Sequence, residues 1–180
     1  MKSSSTNKLV LAAMFLALAL LLPFLTGQIP EIGSMLLPMH IPVLLCGFFC
    51  GWPYGLAVGV ISPLLRSLLF GMPPMYPTAV AMVFELAIYG LMTGLLYKRF
   101  PKNIGFCYLT LLISMIAGRV VWGAVSFALY GLSGTAFTMD IFMAGSVIKA
   151  LPGIAVQLVL IPALVMALDR TKNKEQSVQA

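Results

Sequence analysis

Long apolar runs, separated by short polar stretches, constrain this chain more than any other feature of its sequence. About 20 consecutive apolar residues are enough for a helix to cross the hydrocarbon core of a bilayer. The chain contains six hydrophobic segments, at about residues 9–25, 37–50, 54–69, 78–97, 104–130 and 141–168. Only 9% of its 180 residues are charged, whereas about 25% are charged in a soluble domain. The sequence therefore predicts an integral membrane protein.

The predicted fold class is all-α, with six transmembrane helices in one compact bundle. The apolar runs are continuous and lack the two-residue alternation that is typical of lipid-facing strands. We expect a single membrane domain over residues 1–180, in which residues 1–8 and 170–180 are short cytoplasmic tails.

The second segment is unusually short. Its roughly 14 residues cannot cross a hydrocarbon core of about 30 Å at a rise of 1.5 Å per residue. A turn at Gly51, Trp52 and Pro53 joins it to the third segment. Short or broken segments are tolerated at membrane depth only where protein or a cavity satisfies the freed backbone groups. This region is therefore predicted to shape a cavity.

Basic residues determine the predicted orientation. With six spans, all three basic clusters fall on one side of the membrane, and the positive-inside rule makes that side the cytoplasm. The opposite loops, at residues 26–36, 70–77 and 131–140, contain no lysine or arginine. We therefore expect a multi-pass protein of the cell membrane with both termini in the cytoplasm. The clusters are Lys2 and Lys8; Lys98, Arg99 and Lys102; and Arg170, Lys172 and Lys174.

Four charged residues, Arg66, Glu85, Arg119 and Lys149, lie inside the predicted spans. At 1.5 Å per residue, Glu85 lies about 10 Å and Lys149 about 12 Å below the outer surface, and Arg119 about 22 Å from the inner one. All four are expected in the outer half of the membrane. A charge facing lipid costs roughly 2.5–3.5 kcal/mol, so these side chains should face one another or a wet cavity.

Two interpretations of these charges remain open. They can act as structural ion pairs, for instance Glu85 with Arg119. Three cations share one intramembrane carboxylate, however, and this surplus favours an anionic or strongly hydrogen-bonding ligand. Aromatic residues at helical spacing, Tyr89 after Glu85 and Trp122 after Arg119, would border such a pocket. The predicted substrate-binding residues are His40, Arg66, Glu85, Tyr89, Arg119, Trp122 and Lys149.

Nothing in the sequence indicates catalysis, a metal or a cofactor. The cysteines at 46, 50 and 107 lie in apolar runs, where packing is their expected role. Residues 131–134 match the short G-x-S-G pattern of rhomboid intramembrane proteases, but such enzymes need a histidine on a later helix, and the one histidine, His40, precedes the serine. No phosphate-binding G-x-x-x-x-G-K-[ST] motif is present. Any energy source for transport is therefore expected in other subunits.

The stretch LPMHIPVLLCGFFCGWPYGLAVGVISPLL, continuing to LLFGMPPMYPTAVAMVFELAIYGLMTGLLYKR, resembles the S components of energy-coupling factor (ECF) transporters. Within that family it looks like the riboflavin- and pantothenate-type group. The six spans, the alanine-rich first helix and the short, proline-bounded second helix agree with this resemblance. It covers nearly the whole chain.

The resemblance implies a membrane-embedded binding protein for a vitamin, without enzymatic activity and without a nucleic-acid partner. Its partners would be a transmembrane coupling protein and two cytoplasmic ATPases. The alanine motif of the first helix, Ala13 and Ala17 here, would contact the coupling protein, and small residues four apart do allow close helix approach. The ligand would be held near the outer side by loops.

The resemblance does not name the vitamin. The cation surplus favours a carboxylate-bearing ligand such as pantothenate, while riboflavin, pyridoxine and other precursors remain open. Two other classes also remain as alternatives, namely an autonomous small channel or carrier and an intramembrane enzyme.

Overall fold

The computed structural model describes residues 5–26, 29, 35–132, 138 and 150–178, and every regular element in these ranges is helical. A 3-10 turn, Leu22–Thr26, follows the first helix, and a π-helical turn, Met75–Ala79, precedes the fourth. The helices are α1 Ser5–Leu21, α2 His40–Cys50, α3 Trp52–Phe70, α4 Val80–Arg99, α5 Ile104–Leu132 and α6 Leu151–Val178.

The predicted all-α membrane fold is confirmed. Five of the helical stretches are long and apolar enough to cross a membrane, and α2 is a shorter apolar helix of 11 residues. The predicted sixth segment began near residue 141, whereas the described helix begins at Leu151. Residues 141–149 lie outside the described part of the chain.

Glycine and proline set the boundaries of the short helix α2. Pro42 lies in its first turn, where a missing backbone N–H costs nothing. The helix ends at Gly51, whose φ of 92° is a conformation that side chains disfavour. Pro53 then occupies the first turn of α3. The turn predicted between the second and third segments is therefore present, and it reverses the chain within a single residue.

The helices alternate in direction along the chain. The Tyr54 hydroxyl donates to the Ser5 carbonyl, so α1 and α3 begin at one end of the bundle. At the other end, Tyr76 donates to the Leu129 carbonyl, which joins the segment before α4 to the end of α5. The described basic residues outside the core, among them Lys8 and Lys98, lie at the end where α1 begins. The positive-inside rule predicts that this end is cytoplasmic.

Helix α4 is central, because it packs against α2, α3 and α5. Glycines on the facing helices allow this close approach. A Cβ added at Gly90 of α4 would overlap the Gly55 carbonyl of α3, and one added at Gly47 of α2 would overlap Thr93 of α4. These backbone contacts hold α2 and α3 tightly against α4 and leave its remaining face to α5.

We expect Gly90→Ala to lower the free energy of unfolding by about 1–3 kcal/mol, since the added methyl group must push α3 and α4 apart. The measurement is thermal unfolding in detergent micelles. Gly131→Ala is the matched control, because a Cβ at Gly131 would meet no atom within 4 Å. Equal unfolding midpoints for the two variants would contradict a tight contact between α3 and α4.

Candidate functional site

The site is built around Glu85, a carboxylate in the second turn of α4 that is 1% exposed. Tyr89 lies one turn later on the same face, and its hydroxyl donates to Glu85 Oε1 at 3.1 Å. A buried carboxylate in an apolar bundle is costly unless it is paired and hydrogen-bonded. One neutral donor does not compensate a full charge, so Glu85 requires a cationic partner.

Helix α5 supplies that cation. Arg119 Nη1 lies 3.0 Å from Glu85 Oε1. The preceding residue, Gly118, makes the approach possible, because a Cβ there would overlap the ring of Tyr89. The ring of Tyr89 therefore lies directly against the backbone of α5. The ion pair expected between Glu85 and Arg119 is present.

Helix α2 contributes His40, its first residue, which is 1% exposed. His40 Nε2 lies 3.5 Å from Glu85 Oε1, and its ring centroid lies 5.5 Å from that of Tyr89. Because α2 is too short to span the bundle, its first residue lies in the interior and meets a residue inside α4. His40, Glu85, Tyr89 and Arg119 together are called the Glu85 cluster below.

The Glu85 cluster has hydrogen-bonding groups without partners among the described residues. Arg119 Nε and Nη2 are buried and make no hydrogen bond, and the same holds for His40 Nδ1. Nε and Nη2 are the two donors on one edge of the guanidinium plane. Such an edge binds a carboxylate or phosphate through two parallel hydrogen bonds. Glu85 thus occupies Nη1 and leaves the two-donor edge available.

Arg66 does not join the Glu85 cluster. Its Nη1 donates to the Leu20 carbonyl at 2.8 Å, near the end of α1. The guanidinium carbon lies 5.3 Å and 5.6 Å from the ring centroids of Phe24 and Phe70. Arg66 therefore ties the end of α1 to the end of α3. Arg66, which the sequence also predicted for the ligand site, thus contacts the ends of α1 and α3 and not Glu85.

The remaining predicted residues are Trp122 and Lys149 of the ligand site and the two alanines of the coupling surface. Trp122, one turn after Arg119 on α5, is partly buried. Lys149 lies outside the described residues. On α1, Ala13 and Ala17 are exposed, whereas Ala12 and Ala19 face the core.

Cys46, Cys50 and Cys107 are buried and are not joined by a disulfide. Within the described ranges, no group of three His, Cys, Asp or Glu side chains could hold a metal ion.

Sequence reasoning missed two residues of this region. Gly118 gave no signal, because its importance comes from the ring that packs on it. Gln157 on α6 is fully buried, and neither of its amide atoms has a hydrogen-bond partner in the described part of the chain. A lone amide within an otherwise apolar segment was a signal that the sequence offered.

A buried, polar cluster inside a multi-pass helical bundle is the arrangement of a membrane protein that binds a small molecule. A family model described as the substrate-specific component of ECF transporters matches residues 7–165. Because the match covers most of the chain, the protein belongs to this family. It is a multi-pass cell-membrane protein and the substrate-specific subunit of an ECF transporter. Comparison with curated proteins and with solved structures gave no match.

We expect Glu85→Leu to lower the free energy of unfolding by about 3–5 kcal/mol, because it leaves the Arg119 cation buried without a counter-charge. Arg119→Leu should act similarly. The double variant should recover most of the loss, since replacing a buried ion pair by apolar residues is often neutral or stabilising. Thermal unfolding of the four proteins in detergent measures this coupling.

Lys102→Leu is the control for losing a cation, because Lys102 is exposed at the end of the bundle. We expect little change in its unfolding midpoint. If the losses in Glu85→Leu and Arg119→Leu simply add in the double variant, the two side chains do not form a coupled pair.

Proposed function

We propose that this S component binds a vitamin or vitamin precursor that bears a carboxylate, such as pantothenate, and that Arg119 is the residue that binds the carboxylate. The observation that carries the proposal is the buried, unpaired edge of the Arg119 guanidinium. Each buried donor left without an acceptor costs about 1–3 kcal/mol. The two oxygens of a carboxylate would accept both hydrogen bonds at once.

Glu85 has the role of a positioning residue in this proposal. It holds Nη1 of Arg119 at 3.0 Å and thereby orients the guanidinium so that Nε and Nη2 stay available. Tyr89 in turn donates to the same oxygen of Glu85. Helices α4 and α5 thus cooperate to hold one cation in place before the ligand arrives, which lowers the ordering cost of binding.

Charge balance supports a further contact. Glu85 and Arg119 together are neutral, so a bound carboxylate adds one uncompensated negative charge in a low-dielectric site. We propose that Lys149 compensates that charge. The sequence predicts Lys149 in the outer half of the sixth hydrophobic segment, at about residues 141–168. His40 Nδ1 and the ring of Trp122 would contact the remainder of the ligand. Arg66 is not included, because it binds the end of α1.

We further propose that the subunit delivers its ligand together with a transmembrane coupling protein and two cytoplasmic ATPases. Family membership supports such partners. The exposed position of Ala13 and Ala17 on α1 supports their role as the contact surface, since small side chains four apart allow another helix to approach closely.

The test of the ligand class is calorimetric titration in detergent with two matched compounds, pantothenate and pantothenol, in which an alcohol replaces the carboxylate. The wild-type protein should bind pantothenate more tightly. Arg119→Lys keeps the charge but removes the planar two-donor edge, and it should weaken pantothenate binding by about 30-fold or more. In Arg119→Lys, the ratio of the affinity for pantothenate to the affinity for pantothenol should also fall.

Two results would contradict this proposal. If the wild-type protein bound riboflavin or pyridoxine and not pantothenate, the carboxylate assignment would be wrong, although the protein would remain an S component. If the Glu85→Leu/Arg119→Leu double variant bound pantothenate with wild-type affinity, the pair would serve stability alone.

The coupling surface gives a separate prediction. We expect Ala17→Trp to leave ligand binding unchanged and to abolish uptake in cells, because the bulky ring prevents close approach of a partner helix. Ala128→Trp is the matched control, since Ala128 is an exposed alanine on α5. Normal uptake by Ala17→Trp, or equal loss in both variants, would show that the partner contacts another surface.

A further inference from the structure

The side chain of Gln157 on α6 is fully buried, at 0% exposure. Neither Oε1 nor Nε2 has a hydrogen-bond partner within the described part of the chain. A primary amide offers two donors and an acceptor. Burying such a group without partners is unfavourable, so the site around Gln157 requires hydrogen-bonding groups from outside the described residues.

The neighbours of α6 indicate where this amide lies. The helix packs against α2 and α5, the helices that carry His40 and Arg119. Gly153, one turn earlier on the same face, lies so close to Met35 and Leu36 that a Cβ there would meet their backbone atoms. Those residues lead directly into α2. Gln157 is about 6 Å further along α6. Because α2 runs in the same direction as α6, the chain also passes from Leu36 towards His40 and the Glu85 cluster in that direction.

Two other buried side chains, Ser62 and Thr110, also have hydroxyl groups without partners in the described ranges. The hydrogen-bonding needs of these hydroxyl groups differ from those of the Gln157 amide. A hydroxyl on a helix can turn about one bond and donate to the carbonyl one turn earlier. The larger amide of Gln157 needs both a donor and an acceptor, and the backbone of its own helix cannot provide the two together. Of these three residues, Gln157 is therefore the one that needs a partner outside its own helix.

We propose that Gln157 is a second binding point of the ligand site, and that it recognises a group with both a hydrogen-bond donor and an acceptor, such as an amide or a hydroxyl. This proposal rests on the proposed function, because it adds a contact to the same site. Arg119 binds the charged end of the ligand, and Gln157 binds a neutral polar group further along it. The ligand class becomes a carboxylate that also carries an amide or hydroxyl group.

The first experiment compares ligand-free proteins by thermal unfolding in detergent. Gln157→Leu replaces the amide by an apolar side chain of similar size and should raise the unfolding midpoint, since it removes polar groups that lack partners. A lower midpoint than that of the wild-type protein would overturn the proposal, because it would show that the amide has a structural role.

The second experiment is calorimetric titration of wild type, Gln157→Leu and Thr110→Val with pantothenate, pantothenol, riboflavin and pyridoxine. For the compound that the wild-type protein binds most tightly, Gln157→Leu should lose about tenfold or more in affinity. Thr110→Val removes a buried hydroxyl on α5, a different helix from that of Gln157, and should bind the compound with wild-type affinity. Wild-type affinity in Gln157→Leu would overturn the proposal.

The outcomes separate this proposal from the ligand class proposed above. Loss of affinity in Gln157→Leu for riboflavin, with no binding of pantothenate, would support Gln157 and refute the carboxylate. Tight pantothenate binding that is lost in Arg119→Lys and kept in Gln157→Leu would support the carboxylate and refute Gln157. If none of the four compounds binds the wild-type protein, the midpoint of ligand-free Gln157→Leu decides the role of Gln157 by itself.

Discussion

The buried carboxylate of Glu85 is the constraint on which the interior of this protein depends. It lies among apolar helices at 1% exposure, and a single charge in such surroundings is stable only with a counter-charge and hydrogen bonds. Arg119 and Tyr89 meet this requirement from α5 and α4, and His40 Nε2 on α2 lies 3.5 Å from the same oxygen atom. Three helices that are distant in sequence are thereby brought to one point. The same arrangement leaves one edge of Arg119 without a partner among the described residues, so the proposed ligand contact would depend on the ion pair that stabilises the bundle.

Close helix packing makes the cluster possible. Glycines 47, 55 and 90 let α2 and α3 contact the backbone of α4, and Gly118 lets the ring of Tyr89 lie on α5. In a membrane, where lipid is as apolar as the helices, such close contact is a main source of association between helices. The short helix α2 adds a second effect, because its first residue begins inside the bundle. His40 therefore lies in the interior, whereas the first residue of a longer helix would lie near the surface.

The charged residues of the spans have two different tasks. Arg66 binds a carbonyl at the end of α1 and contacts two phenylalanine rings, and so joins the C-terminal ends of α1 and α3. Arg119 pairs with Glu85 and retains unused donors. A count of cations in the sequence could not distinguish these tasks. Once Arg66 is assigned to α1, Glu85 and Arg119 balance each other's charge, and the case for an anionic ligand depends on the geometry of Arg119 and on Lys149 instead of on a surplus of three cations.

The sequence by itself determined the membrane class, the order of the helices, and the short second helix with its turn at Gly51. These properties follow from hydropathy, segment length and the rise per residue, which are all local along the chain. Only the tertiary structure decided that Glu85 pairs with Arg119 and not with Arg66, that Gly118 is required by the Tyr89 ring, and that the amide of Gln157 is buried without partners in the described part of the chain. The physical reason is that depth follows from position within a helix, whereas the partner of a side chain depends on how each helix is rotated and which neighbour it packs against.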